Sequence, residues 1–402
     1  MTNTFTKYGQ NPHRGTPLGH PTRRGVIAVF STLLIALLLC GCTSEPAETQ
    51  AQTSRKVTVH ATQEYARPVG RTLEDGGITW LAQSGSAVEF AVKGTSLSVQ
   101  VAGDNGVDKE ANQCPRFAVL VDGEVLVDET LNERSRTVEV FSSQTPRDAT
   151  VEVIQLSEAK LGTIGVEAIT VYSDVPSPVA PTDDKDLCIE FVGDSITCGY
   201  GVEAPSADEP FMTTTENFMK SYAYFAAKEL DVDYETVCYS GYGVVSGWSA
   251  DGTLNKEMLV PPLYEVVSKD HNVPWDFSVR PNDVVVVSLG TNDFTYTGTD
   301  EGRMSEFARA YADFLLRVRE CNPQALIVCT LGTMGCEELY PYIEQAVGDF
   351  REQTGDEHII CYLSEAIDEE TEGMGAAEHP TEKTQRRCAR ALVEVIRTEL
   401  GI

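Results

Sequence analysis

Ser195 closes the run Cys188-Ile-Glu-Phe-Val-Gly-Asp-Ser195, an apolar stretch that stops at Gly193. A hydroxyl becomes an acyl nucleophile only when a base takes its proton and donors await the developing oxyanion. Four histidines stand beyond the first 41 residues: His60, His271, His358 and His379. His60 falls in a β-patterned region, His358 begins a strand, and His271 lies in a polar loop at the wrong end of one. His379 alone follows the last strand, where Pro380 marks a helix start. Gly241, in Ser-Gly-Tyr-Gly, has a backbone N–H that no side chain crowds. Asn292, in Gly-Thr-Asn-Asp, offers an uncharged amide donor. A nucleophile, a base and donors of this kind suit acyl transfer.

These residues can meet only if the chain folds to bring them together. Strands are expected over 188–192, 234–238, 283–289, 325–330 and 358–363, with helix-period segments over 217–230, 304–321, 340–354 and 382–400. Strands alternating with crossover helices predict a parallel, doubly wound α/β sheet. Such a sheet binds ligands at the carboxyl ends of its strands. Ser195, Gly241 and Asn292 each follow a strand, and His379 follows the last, so all four fall on that edge.

Residues 57–174 read differently. Short alternating runs such as Ala87-Val-Glu-Phe-Ala-Val92 and Leu97-Ser-Val-Gln-Val101 recur with turn residues between them, and Asp122-Gly123 marks a hairpin. This spacing predicts an all-β sandwich or jelly roll. Residues 175–186, with three prolines and three aspartates, read as a linker to the α/β-patterned region 187–402.

The N-terminus reads as an address. Residues 1–25 carry Lys7, Arg14, Arg23 and Arg24 and no acid, and a short apolar core ends at Leu39-Cys-Gly-Cys42. That core is shorter than the ~20 residues a membrane span needs. The Cys-Gly-Cys ending resembles a bacterial lipobox, so residues 1–41 are expected to be a lipoprotein signal peptide. Cys42 is then the lipidated first residue, residues 42–56 a polar tether, and the chain exported and anchored on the outer face of a bacterial membrane. The 402-residue sequence carries a formal net charge of −30, and loss of the four leader cations takes the remainder to about −34. This charge argues against a nucleic-acid partner, whose phosphates require the opposite sign. No close pair of cysteines suggests a metal site, and the chemistry calls for no cofactor.

Gly-Asp-Ser-Ile-Thr, Ser-Gly-Tyr-Gly, Gly-Thr-Asn-Asp and His-Pro-Thr, in that order, resemble the four blocks of the SGNH (GDSL-type) hydrolases. Further stretches are similar to carbohydrate esterase family 2, two-domain acetyl esterases of plant polysaccharide. They include Thr215-Glu-Asn217, Leu331-Gly-Thr-Met334, Val69-Gly-Arg71 and Leu156-Ser-Glu-Ala159. The resemblance implies a flavodoxin-like SGNH domain behind a jelly roll. It further implies Ser195 as nucleophile and His379 as base, then acid. The N–H groups of Ser195 and Gly241 and the Asn292 amide form its oxyanion hole, and acetylated carbohydrate is its substrate. One departure stands out: the family's acid, three residues before the histidine, is here Ala376, which leaves a Ser-His dyad oriented by a backbone carbonyl or a remote Asp. Glu378 stands where an aromatic residue contacts sugar. Trp248 and Trp80 are further candidates for a sugar-binding cleft, while Trp275 reads as core. Two other readings stay open: a short-chain acylesterase or lysophospholipase on the same scaffold, and a carbohydrate-binding surface protein with a decayed centre.

Overall fold

A near-continuous apolar run can be satisfied as a strand only where both faces are covered, and four such runs of the C-terminal half, with the more polar strand at 233–238, form one parallel sheet. In the computed structural model, which describes residues 54–402, these strands are Cys188–Gly193, Asp233–Cys238, Val284–Ser288, Leu326–Leu331 and Ile359–Leu363. The leader over 1–41, Cys42 and the tether up to residue 53 lie outside the described residues. Numbered along the chain, the strands lie side by side in the order 2-1-3-4-5, all parallel. Val285 and Val287 face the helices Glu301–Cys321 and Tyr340–Thr354 through Phe307, Tyr311, Leu315 and Phe350. Val284 and Val286 face Tyr222–Leu230 and Glu382–Leu400 through Ala223, Ala226, Leu392 and Ile396. In this flavodoxin-like order the ligand crevice opens between the first and third strands.

Two expectations need correction. The helix expected over 217–230 begins at Tyr222, because Asn217 caps a separate 3-10 turn and Ser221 then caps the helix proper, its hydroxyl accepting from Tyr224 N at 3.3 Å. The connection between the second and third strands contains no α-helix; residues 239–283 run as a loop with one 3-10 turn at Pro261–Leu263.

The preceding domain is an antiparallel ten-stranded sheet wrapped around one core. Its longest strands, Ala87–Gly103 and Ser135–Gln155, pair along nearly their whole length. In the first of these, Val88, Phe90 and Val92 are buried, then Leu97, Val99 and Val101. The inward parity changes from even to odd, which a regular strand cannot do. A register shift between Gly94 and Ser96 supplies the missing residue and keeps both halves facing the core. Residues 175–186, read from sequence as a linker, include the strand Val179–Pro181, which pairs antiparallel with the same long strand.

The domains share a buried polar joint. Arg71 reaches from the antiparallel domain to Glu190 on the first parallel strand at 2.7 Å, and both side chains are fully enclosed. The guanidinium also donates to the carbonyls of Tyr264 and Val266 at 2.6 and 2.7 Å. The rings of Tyr264, Trp275 and Phe277 lie 5.1–5.5 Å from it. Trp275, expected in the core, is thus a half-buried cover over this joint. Among the described residues no helix is long and apolar enough to cross a membrane.

Removing one partner of a buried ion pair strands the other charge in low dielectric, at roughly 3–5 kcal/mol. Arg71→Met should therefore lower unfolding free energy by about that amount in urea titration. A loss under ~1 kcal/mol would show that the joint contributes little.

Candidate active site

Gly193, Cys238 and Ser288 are register partners on three neighbouring strands. The chain therefore leaves all three strands at one level, and the segments that follow converge. After Gly193, the Asp194 carboxylate accepts from Ile196 N at 3.0 Å and starts the short helix Ser195–Cys198. A Cβ at Gly193 would stand 2.0 Å from Thr197 Oγ1, so only glycine lets the turn close. This turn leaves Ser195 buried, at 5 % exposure.

Ser195 Oγ lies 2.8 Å from His379 Nε2, across 184 residues of sequence. The other ring nitrogen, Nδ1, lies 3.1 Å from Ala376 O and 2.9 Å from Ala377 O. Carbonyl oxygens can only accept, so Nδ1 carries the hydrogen and Nε2 presents its lone pair to the serine hydroxyl. Two carbonyls thus occupy the place of the absent acid.

The turn that aims those carbonyls is strained. Ala377 and Glu378 take φ of +50° and +63°, in the left-handed region that side chains disfavour. It is pinned by Ala376 N to Gly201 O at 3.1 Å, Ala377 N to Ala207 O at 3.0 Å and Gly375 N to His379 O at 2.8 Å. Ala376 packs against Gly201, where an added Cβ would come within 2.6 Å of its own. That side chain faces the Gly201 loop while its carbonyl faces the ring. On the imidazole rests Tyr200, ring centres 4.3 Å apart, and on Tyr200 rests Phe211 at 4.1 Å. Desolvation by this packing outweighs the two carbonyl bonds and lowers the His379 pKa from 6.5 to about 4.

Around Ser195 stand the expected donors. Among the described residues, neither Ser195 N–H nor Gly241 N–H meets an acceptor. Gly241 takes φ +83°, and a Cβ there would stand 2.6 Å from Met258 Cε. Asn292 differs from expectation. Its Nδ2 lies 2.9 Å from Tyr242 O and 3.2 Å from Asp194 Oδ2, so both amide hydrogens already have acceptors. The amide ties the Gly241 loop to the Ser195 turn, and giving a hydrogen to an oxyanion means exchanging the longer bond. Next to it, Asp293 accepts from Val244, Val245 and Ser246 N at 2.7–3.0 Å, gathering that loop into a ring of N–H groups. Burial raises the pKa of Asp293 to about 6 and of Asp194 to about 7, the Asp293 charge adding to the latter.

Trp248 is 56 % exposed and hangs from the same loop, its N–H donating to Gly241 O at 2.8 Å. Glu378, beside His379, is exposed. Trp80 packs over Gly165 in the antiparallel domain, its ring 6.5 Å from His271. Tyr200, Phe211 and the anchoring role of Asp293 were not among the sequence expectations. The adjacent acid in Gly-Thr-Asn-Asp was the available signal for Asp293.

One group among the described residues has metal-ligand chemistry: Glu158, Cys198 and Glu216, with donor atoms within 4.8 Å of one another. Burial, then the neighbouring Glu158 charge, pushes the Glu216 pKa well above the carboxylate range. The Lys160 ammonium already sits 3.4 Å from Glu158.

Residues 189–392 match the family model of the GDSL-like lipase/acylhydrolases, and residues 69–178 that of the carbohydrate esterase 2 N-terminal domain. The cellulase/esterase CelE of Acetivibrio thermocellus is 30 % identical over 327 residues, which are 80 % of this chain and 38 % of that protein. This chain therefore spans well under half the length of that relative. An acetylxylan esterase/glucomannan deacetylase of Cellvibrio japonicus is 25 % identical over 87 % of this chain and 93 % of its own. The structure of a family two carbohydrate esterase from Clostridium thermocellum in complex with cellohexaose superposes with a TM-score of 0.74. It is 28 % identical over 84 % of this chain and 99 % of its own. With one family model spanning half of its length, this chain belongs to the GDSL-like lipase/acylhydrolases, and the domain in front matches the carbohydrate esterase 2 N-terminal model.

Proposed function

We propose that this chain is a serine carboxylic ester hydrolase that removes O-acetyl groups from carbohydrate. The observation that carries the reading is the 2.8 Å contact from Ser195 Oγ to an imidazole whose far nitrogen is held by carbonyls. As Ser195 Oγ bonds to the acetyl carbon, its proton passes to His379 Nε2 and the carbonyl π electrons move to oxygen. The unpartnered N–H groups of Ser195 and Gly241 stand ready for that oxyanion, with Asn292 as the third donor. Collapse breaks the bond to the sugar oxygen, which takes the proton from Nε2 and leaves acetyl-Ser195. Water then repeats the sequence, giving acetate and free Ser195.

The acetyl and sugar assignments draw on the relatives, named for acetylxylan and glucomannan, and on the exposed Trp248, whose indole face suits a pyranose. Glu378, exposed beside His379, offers a further polar contact for a sugar. Trp80, half-buried over Gly165, has weaker support as a sugar contact. The bonded dyad speaks against a decayed centre. We further propose that the protein is exported and held at the outer face of a bacterial membrane through lipid on Cys42; the basic, apolar and Cys-Gly-Cys segments of residues 1–42 support this.

Ser195→Ala should abolish p-nitrophenyl acetate turnover while leaving the fold intact by circular dichroism; turnover that survives it refutes the nucleophile. Rates should fall from acetate to octanoate esters, and a preference for octanoate would favour the lysophospholipase reading. The base must be neutral to accept a proton, and its folded pKa is depressed. Activity is therefore held as pH drops through 6.5 and lost only toward about 4. The acid limb of kcat/KM, which reports the free enzyme, should lie well below 6.5, and a limb centred at 6.5 or above would contradict the desolvated dyad.

A further inference from the structure

The oxyanion-hole peptide is gripped from outside the hydrolase domain. Ser240 precedes Gly241, so Ser240 C=O and Gly241 N–H are the two ends of one planar amide. Lys160, in the antiparallel domain, donates from Nζ to Ser240 O at 2.6 Å. Two residues before it, Glu158 accepts from Ser240 N at 2.9 Å. Both peptide planes that flank Ser240 are thus fixed by the other domain, one through its carbonyl and one through its N–H. The grip is itself built in. Glu158 is fully buried and lies 3.4 Å from the Lys160 ammonium. The Glu158 backbone N–H donates to Glu216 Oε2 at 3.0 Å. The Lys160 ammonium further lies 5.7 Å from the centre of the Tyr242 ring, and Tyr242 O holds Asn292.

A cation on an amide oxygen draws electron density from the nitrogen and makes the N–H at the far end a stronger donor. It also locks the plane, so that no reorganisation is required when charge appears on the substrate oxygen. We propose that Lys160, held by Glu158, is a positioning residue for this reaction: it polarises and orients the Ser240–Gly241 peptide so that Gly241 N–H is presented to the oxyanion. The inference rests on the esterase reading above. It makes the antiparallel domain a working part of the catalytic centre in addition to any contact it makes with sugar.

A donor that strengthens only as charge develops acts on kcat and leaves KM alone. Deleting an oxyanion donor outright costs on the order of 10²–10³ in kcat; weakening one should cost less. Lys160→Met should lower kcat for p-nitrophenyl acetate roughly 10-fold with KM within about 2-fold of wild type. Affinity for a boronic acid that forms a tetrahedral adduct on Ser195 should fall by the same factor. Lys160→Arg should recover most of the loss by restoring the cation, and Lys160→Gln, a neutral donor, should fall between Arg and Met. A merely structural lysine would move the melting temperature and leave kcat and boronate affinity untouched in the folded fraction. If Lys160→Met does not fold, wild type, Arg and Gln decide the matter at matched melting temperature. Equal kcat across any folded set overturns the proposal while Ser195-dependent turnover keeps the esterase reading. Loss of Ser195 dependence in the wild type removes both.

Discussion

Among the described residues, the hydrogen on His379 Nδ1 meets only the carbonyls of Ala376 and Ala377, and that constraint sets the rest of the edge. A carboxylate at this place would orient the ring and also stabilise its protonated form. Neutral carbonyls orient it and contribute far less to the charged form, so burial decides the ring's basicity. The turn must then be held by other means, since its left-handed residues are costly. Gly201, Ala207 and the Tyr200–Phe211 stack provide that hold. The strain is stored where the base is aimed, as is common at functional sites.

The two domains behave as one device at this edge. Arg71 fastens the antiparallel domain to the first parallel strand at Glu190, midway along the sheet. Glu158 and Lys160 fasten it again at the strand ends, on the loop that carries Gly241. Asp293 draws the far side of that loop inward, and Asn292 ties it to Asp194. The loop is thus fixed from both domains, which suits a site whose donors must be set before charge arrives.

Much of this was legible from residues alone. Apolar runs marked four of the five strands, since burial on both faces leaves few other solutions for Val284 to Val287. Their ends brought Ser195, Gly241, Asn292 and His379 to one side without any knowledge of distance. The runs 87–92 and 97–101, read as separate, are one strand, Ala87–Gly103, joined through the register shift at Gly94. What the sequence hid depends on contacts between distant segments. Ala376 in place of an acid left a backbone carbonyl or a remote Asp to orient the ring, but which carbonyls serve was not legible, because backbone atoms carry no residue signature. Nothing in the motif blocks singles out Phe211 or Lys160, whose contacts cross long stretches of sequence. The helix expected from 217 began later because two caps, Asn217 and Ser221, compete within five residues.

The central claim is that the hydroxyl of Ser195 takes the acyl group from substrate. Intact-protein and peptide mass spectrometry on enzyme acid-quenched during turnover of an activated acetyl ester tests it most directly. The account predicts one added acetyl group per chain, located on the peptide bearing Ser195. An unmodified enzyme at saturating substrate, despite burst kinetics, or an acetyl group mapped to another residue, would contradict it.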